Sequence, residues 1–299
     1  MNRYVYLIKK NILVIKTILI CVFIGVLFLK LKDHTWDYSN LKFNFLPFLF
    51  FLVIIPFNWY LEWTKWKIIT AFNGLIEKEI NLKAFASGMI SSFLTPSLSG
   101  NFIGRIFYYP LRYRVKLATQ IFIANGSQFL VAICIGLVSF INVFQETPNA
   151  MVLMLIATII LFYVYANTLI HLLNNNYLNK LEPFILTVNI RLKFLFLSVL
   201  RYTVFIFQYL LVLWTFGLEP SIEVFQLILI VFLFVTISPS IFFGKILLRE
   251  SIAIGVFSLY NYDINIIAIS SLSIWLFSIF IPSLFSILLI EKSKNHAYA

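Results

Sequence analysis

Uninterrupted apolar stretches of about 20 residues recur along the chain, and they constrain its fold more than any other feature. Each stretch is long enough to cross a hydrocarbon layer roughly 30 Å thick as a helix. The stretches are continuous and do not alternate residue by residue, which argues against a closed β-barrel. Only 12% of the residues are charged, about half the roughly 25% typical of soluble domains, so a water-soluble fold is excluded. The sequence therefore predicts an all-α polytopic integral membrane protein.

Hydropathy predicts about six full transmembrane helices and two interrupted segments in a single membrane domain, 1–299. The full spans are Asn11–Leu31, Phe43–Trp63, Leu117–Ile141, Ala150–Leu172, Phe194–Gly217 and Ile264–Ile290. The interrupted segments, Ala84–Gly104 and Val224–Gly244, contain Pro, Gly and Ser within their apolar runs. The first span resembles a signal peptide, but Lys30 and Lys32 follow it where a small-residue cleavage site would stand. We interpret it as a retained signal anchor.

Basic residues determine the predicted orientation. The chain carries 23 Lys and Arg against 12 Asp and Glu, and basic loops of membrane proteins collect on the cytoplasmic side, facing anionic lipid. We therefore assign the basic excess to topology and expect no nucleic-acid partner. With both termini cytoplasmic in the cell (inner or plasma) membrane, 17 basic residues lie inside, Lys65 and Arg105 among them, and five outside, including Arg249. Treating Val224–Gly244 as a full span would move Lys245 and Arg249 inside and the tail outside, and charge separates these options weakly.

A shift of 143 positions aligns two units of the chain, 41–116 and 184–262. The matched pairs include Gly74 with Gly217, Trp59 with Tyr202, Trp66 with Tyr209, Pro96 with Pro239, Ser97 with Ser240 and, after one inserted residue, Gly100 with Gly244 and Arg105 with Arg249. In the predicted topology the two units are inverted, and inverted repeats with broken apolar segments are typical of transport folds. The alternative to a true repeat is that some of the 10 Gly and 9 Pro align by chance at this shift.

The repeat favours two re-entrant segments, because irregular backbone at membrane depth is tolerated where it is buried in protein or lines a wet cavity. The predicted tips of these segments are Pro96, Ser97 and Gly100 in the first unit and Pro239, Ser240 and Gly244 in the second.

Three stretches resemble the membrane region of the lysylphosphatidylglycerol synthase/flippase family. They are Asn58–Trp66 (NWYLEWTKW), Phe93–Arg105 (FLTPSLSGNFIGR), and Pro239-Ser240 leading to Arg249-Glu250, within a resemblance that spans roughly Leu41 to Ile290. The resemblance implies a stand-alone flippase-like protein, without the aminoacyl-transferase domain of the members that synthesise lysyl-lipid. The sequence departs from the family at Asn101, where Glu is usual, and near Leu247, where a second Gly is usual. Both departures bear on the substrate.

Seven polar residues in or beside the apolar segments are the candidate lipid-binding residues. They are Glu62, Arg105, Asn125, Gln128, Arg201, Arg249 and Glu250. An arginine guanidinium matches a phosphate in a planar, bidentate way. Arg201 lies about seven residues into its predicted span, where charge is costly and typically functional. Gln208, two turns further along, shares its face.

Each candidate also has a structural interpretation. The arginines can be interfacial anchors whose charged ends reach the headgroups. Glu62 can form a surface pair with Lys65, three residues away. Asn125 and Gln128, at i and i+3, can simply bond a neighbouring helix. Arg112, Arg114 and Lys116 are interpreted as topology determinants.

The expected function is movement of a lipid or lipid-linked headgroup between leaflets, with anionic or zwitterionic membrane lipids as partners; homo-oligomerisation stays open. The alternative is a non-transporting membrane partner of an envelope glycolipid or polyprenyl-glycan assembly system. An enzyme is disfavoured, because no acid/base pair or Ser/His couple stands at helical spacing. Cys21, Cys134 and the three His are scattered, so we expect no metal or other cofactor.

The predicted topology can be tested by labelling single cysteines with an impermeant maleimide, in a variant without Cys21 and Cys134. We expect cysteines at Tyr113 and Asn176 to react from the cytoplasmic side, and those at Asn40 and Tyr260 from outside. Labelling of Tyr260→Cys from the cytoplasmic side alone would show that Val224–Gly244 is a full span and that the two repeat units are not inverted.

Overall fold

The computed structural model of the protein describes residues 42–94, 99–144, 150–172, 186–238 and 244–295, all within one contact unit, Leu41–Ala299. These ranges contain ten α-helices and no strand. Outside them lie the first predicted span, Asn11–Leu31, and the predicted tip residues Pro96, Ser97, Pro239 and Ser240.

The helices are numbered here in chain order. They are α1 (Phe45–Phe72), α2 (Lys78–Leu94), α3 (Ser99–Ile106), α4 (Leu111–Phe144), α5 (Ala150–Leu172), α6 (Val188–Thr215), α7 (Ile222–Ile237), α8 (Gly244–Ser258), α9 (Ile264–Trp275) and α10 (Ile281–Asn295), with a π-helical turn (Leu276–Phe280) between α9 and α10.

Four helices among the described residues are long and apolar enough to cross a membrane. They are α1, α4, α6 and the continuous helical segment Ile264–Ile287. Large apolar side chains cover their outer surfaces; Phe122 is 69% exposed and Phe196 is 64% exposed. Such exposure suits a hydrocarbon solvent, and with these helices the described part of the chain has the all-helical form of a membrane protein.

Three helices extend beyond the spans predicted from hydropathy. The predicted spans Phe43–Trp63, Leu117–Ile141 and Phe194–Gly217 correspond to α1, α4 and α6, which are 28, 34 and 28 residues long. Charged residues end a hydropathy run without ending a helix, so α1 continues through Lys65 and α4 begins before Arg114. By contrast, α5 has the predicted bounds of Ala150–Leu172.

Helices α1 and α6 lie antiparallel against each other. The backbone amide of Asn44 donates to the carbonyl of Thr215 at 2.8 Å, and the Asn44 side chain donates to the carbonyl of Trp214 at 2.9 Å. The start of α1 therefore meets the end of α6. The bounds of the two helices differ by 143 positions at both ends. Each is followed by a glycine in the left-handed region, Gly74 (φ 70°) and Gly217 (φ 105°), a conformation that favours glycine.

Two helices that pack on each other meet at each interrupted segment, α2 with α3 at Ala84–Gly104 and α7 with α8 at Val224–Gly244. Helix α3 approaches α2 so closely that a Cβ atom on Gly104 would lie 2.0 Å from Ser91 Oγ. The first helix of each pair also packs on a further helix: α2 on α10, and α7 on α4.

The buried apolar side chains form two clusters. One contains Trp66, Phe85 and Leu117. The other contains Tyr209 and Phe257. The repeat-matched aromatic residues Trp66 and Tyr209 thus belong to different cores.

The close packing of α4 on α7 can be tested at Gly136. A Cβ atom there would lie 2.6 Å from Leu233 Cβ and 3.2 Å from the carbonyl oxygen of Leu229. We expect Gly136→Ala to lower the free energy of unfolding by about 1–3 kcal/mol through overpacking, measured as thermal unfolding in detergent. In the control Gly255→Ala, the new Cβ meets nothing within 4 Å, so stability should stay the same or rise slightly. Equal stability of the two variants would contradict the proposed closeness of α4 and α7.

Candidate functional site

A buried carboxylate, that of Glu62 in α1, is bound by two arginines from other helices. Glu62 is 2% exposed. Its Oε1 accepts a hydrogen bond from Arg105 Nη2 in α3 at 2.8 Å, and its Oε2 accepts one from Arg201 Nη1 in α6 at 2.7 Å. One carboxylate therefore links three helices. The interpretation of Glu62 as part of a surface pair with Lys65 is wrong.

Arg201 lies at the middle of α6, 13 residues after its start and 14 before its end. At 1.5 Å per residue, about 20 Å of helix extend on either side. The predicted distance of about seven residues from the start of the helix was too small, because α6 begins before the apolar run.

Asn58 extends the network along the paired faces of α1 and α6. Its Oδ1 accepts from Arg201 Nε at 3.0 Å, and its Nδ2 donates to Gln208 Oε1 at 3.1 Å. Arg201 and Gln208, predicted on one face of their helix, are joined by this amide.

Lys65 is also buried in the network, although the charge count placed it in a cytoplasmic loop. It is 2% exposed, and its Nζ donates to Ser198 Oγ at 2.6 Å and to Gln128 Oε1 at 3.5 Å. The cluster thus joins three basic side chains, Lys65, Arg105 and Arg201, to one carboxylate. Lys65, Arg105 and Arg249 are in the protein interior and so no longer count as loop charges. Without them, the predicted topology has 15 basic residues on the cytoplasmic side and four on the outer side, so the predicted asymmetry of loop charge persists.

Arg105 is enclosed by aromatic rings and is 2% exposed. Its guanidinium lies 4.8 Å from the ring centre of Phe85 and 5.3 Å from that of Trp66. A Cβ atom on Gly88 would come within 2.7 Å of its Cγ. The guanidinium does not reach the protein surface, so the interpretation of Arg105 as a snorkelling anchor is wrong.

Two asparagines lie in or near this region with donor or acceptor capacity left over. Asn101, at the position where the resembled family has Glu, donates from its Nδ2 to Glu62 Oε1 at 3.5 Å. Asn125 is 8% exposed. Within the described ranges, the Oδ1 of Asn101, the Nδ2 of Asn125 and the Nε of Arg105 have no hydrogen-bond partner.

Arg249 lies in the other core, apart from these hydrogen bonds. Its guanidinium is 5.6 Å from the ring centre of Tyr209 and 5.9 Å from that of Phe232. Its Nε and Nη2 are buried and have no hydrogen-bond partner among the residues that the structure describes. Glu250, the next residue, is 9% exposed, and adjacent residues of a helix do not face each other.

The remaining candidates lie elsewhere. Gly100 and Gly244 are in the first turns of α3 and α8. Arg112 is exposed, and Arg114 Nε donates to the carbonyl of Tyr109 at 2.9 Å, near the start of α4.

A shallow groove on α1 and α6 is separate from the three arginines Arg105, Arg201 and Arg249. It is lined by Thr64, Ile68, Leu192, Lys193, Phe196 and Leu197. Within the described ranges, no group of His, Cys, Asp or Glu could hold a metal ion.

Asn58 and Lys65 were missed as site residues in the sequence, although a signal was present. With Glu62 they occupy positions i, i+4 and i+7, which lie on one face of a helix. A polar stripe of this kind inside an apolar span indicates a buried network.

Comparisons with known protein families, curated proteins and solved structures find no match to this chain. The functional conclusion therefore depends on the site itself.

The importance of the shared carboxylate can be tested with Glu62→Gln. We expect this change to lower the free energy of unfolding by roughly 3–5 kcal/mol, because it leaves Arg105 and Arg201 buried without their counter-ion. The control is Glu79→Gln, which removes a more exposed pair with Lys83 (2.6 Å) and should cost less than about 1 kcal/mol. Denaturation in detergent measures both. Equal losses would mean that Glu62 is dispensable for folding.

Proposed function

We propose that this protein is a flippase-like membrane protein that moves a lipid or lipid-linked headgroup between leaflets. The observation that carries the proposal is the buried cluster of Lys65, Arg105 and Arg201 around the single carboxylate of Glu62. Charged side chains at membrane depth are costly and typically mark the pathway of a substrate. With all four groups ionised the cluster has a formal charge of +2, which favours an anionic or zwitterionic headgroup.

The proposed binding step is an exchange of ion-pair partners. Arg201 is the member of the cluster with access to the surface, since its side chain is 15% exposed, against 2% for Arg105. A lipid phosphate that replaces Glu62 on Arg201 would meet the planar fork of a guanidinium, which binds two oxygens at once. Glu62 keeps its bond to Arg105 during this exchange, so the site never holds an uncompensated carboxylate.

The proposal includes two re-entrant segments in an inverted repeat. Helices α2 and α7 have 17 and 16 residues, or about 25 Å of helix, less than the roughly 30 Å of the hydrocarbon layer. The packing of each against the short helix that follows supports segments that return to the face from which they came. The antiparallel contact of α1 with α6 supports the inversion. The proposed location is the cell membrane, with both termini cytoplasmic.

This function agrees with the one implied by the resemblance to the lysylphosphatidylglycerol synthase/flippase membrane region. The family motif usually has Glu at the position of Asn101. In this protein Asn101 lies beside Glu62, so a carboxylate supplied by α1 stands close to that position. We propose that the protein handles lipid without an enzymatic activity of its own.

The proposal can be tested by reconstitution with fluorescent phospholipids that differ in headgroup charge, scored for leaflet exchange. Arg105→Lys and Arg201→Lys keep the charge but remove the planar fork. Losing one charge-assisted hydrogen bond of about 1.5–3 kcal/mol predicts exchange about tenfold slower. Arg114→Lys, at the start of α4, should exchange lipid like the unaltered protein.

Equal exchange by all three variants would reduce the cluster to a structural network. An unaltered protein that exchanges no lipid, while remaining folded and correctly oriented, would favour the alternative of a non-transporting partner of a glycolipid or polyprenyl-glycan assembly system.

A further inference from the structure

The repeat shift predicts that Arg105 and Arg249 occupy equivalent positions, and their surroundings match in part. Arg105 lies over Trp66, and Arg249 lies over Tyr209. Trp66 and Tyr209 are themselves matched by the shift of 143 positions. Each arginine has a second aromatic neighbour, Phe85 or Phe232, on the helix that follows α1 or α6.

The two surroundings differ at one position. The shift that carries Trp66 onto Tyr209 carries Glu62 onto Phe205. Phe205 is one turn before Tyr209, and its ring centre lies 6.2 Å from that of Phe232. The position matched to Glu62 therefore carries no carboxylate, and the Phe205 ring centre lies 5.2 Å from the guanidinium of Arg201.

The hydrogen bonds follow this difference. Arg105 Nη2 donates to Glu62 at 2.8 Å. The corresponding Nη2 of Arg249 has no acceptor among the described residues, and its Nε, like that of Arg105, has none either. These two N–H groups lie on the same edge of the guanidinium, the edge that matches two oxygens of one oxyanion. A buried donor without an acceptor is costly, so this edge is suited to an anion that is not part of the protein.

We propose that the Nε/Nη2 edge of Arg249 is a binding site for a phosphate oxyanion, supplied by a lipid phosphodiester. The phosphate takes the place that the Glu62 carboxylate holds at Arg105. The two arginines of the repeat are therefore unequal at Nη2: that of Arg105 is bound by the protein's own carboxylate, and that of Arg249 is left for the ligand. This inference rests on the proposed function and adds to it a second residue, in addition to Arg201, that receives the lipid phosphate.

The experiment is to remove the donor edge of Arg249. In Arg249→Gln, bound phosphatidylglycerol should fall about tenfold or more, the equivalent of one lost charge-assisted contact. Arg249→Lys keeps the charge but lacks the planar fork, and it should lose the lipid as well. The control Arg112→Gln removes an exposed arginine near the start of α4 and should keep the lipid. Native mass spectrometry of the full chain in detergent counts the bound phosphatidylglycerol, and thermal unfolding verifies that each variant is folded.

Inorganic phosphate and glycerol phosphate, tested as stabilisers against heat, separate a lipid from a free anion. Stabilisation that needs Arg249, without bound phosphatidylglycerol, would reject the lipid source and overturn the inference. Unchanged phosphatidylglycerol on both Arg249→Gln and Arg249→Lys would also overturn it, while leaflet exchange by the unaltered protein would leave the proposed function standing. If one variant fails to fold, the result from the other decides.

Discussion

The arrangement of the helices depends on one carboxylate shared between two guanidinium groups. Glu62 lies within the apolar span of α1, and its two oxygens bind Arg105 of α3 and Arg201 of α6. None of these side chains could be buried there alone, because a charge without its partner is costly in a medium of low dielectric constant. The short helix α3 is held against α1 by this contact, and the central pair α1 and α6 is held in one register. Asn58, Ser198 and Gln208 complete the polar seam between that pair.

The broad fold follows from features that lie within short stretches of sequence. A long uninterrupted apolar run predicts its helix with correct bounds, as at Ala150–Leu172. The predicted ends were wrong where a charged residue stopped the run but continued the helix, as Lys65 does in α1. Hydropathy records the cost of exposing a residue to lipid and ignores a partner on another helix that removes that cost. The same limitation put Arg201 too near the end of α6.

Most members of the site could be selected from the sequence, but their pairings could not. Glu62 is 43 residues from Arg105 and 139 residues from Arg201 in the sequence. Helical periodicity predicts which residues share one face of a helix, but it does not predict which faces of different helices pack together. Arg105 and Arg249 look equivalent in the sequence, since they occupy matched positions of the two repeat units. Their contacts distinguish them: Glu62 binds the guanidinium of Arg105, whereas the guanidinium of Arg249 lies near the rings of Tyr209 and Phe232.

The sequence separation within the Glu62 cluster sets an order for the biosynthesis of the protein. Helix α1 is translated before α3 and α6, and Arg105 emerges 43 residues after Glu62, so the first half can neutralise its own carboxylate early. Arg201 follows 139 residues after Glu62, which is roughly ten seconds of translation or more at typical rates. An arginine at the centre of a helix adds roughly 2.5–3.5 kcal/mol to membrane insertion. Helix α6 therefore enters the bilayer against a counter-ion already in place, and the nascent first half acts as the insertion partner of the second.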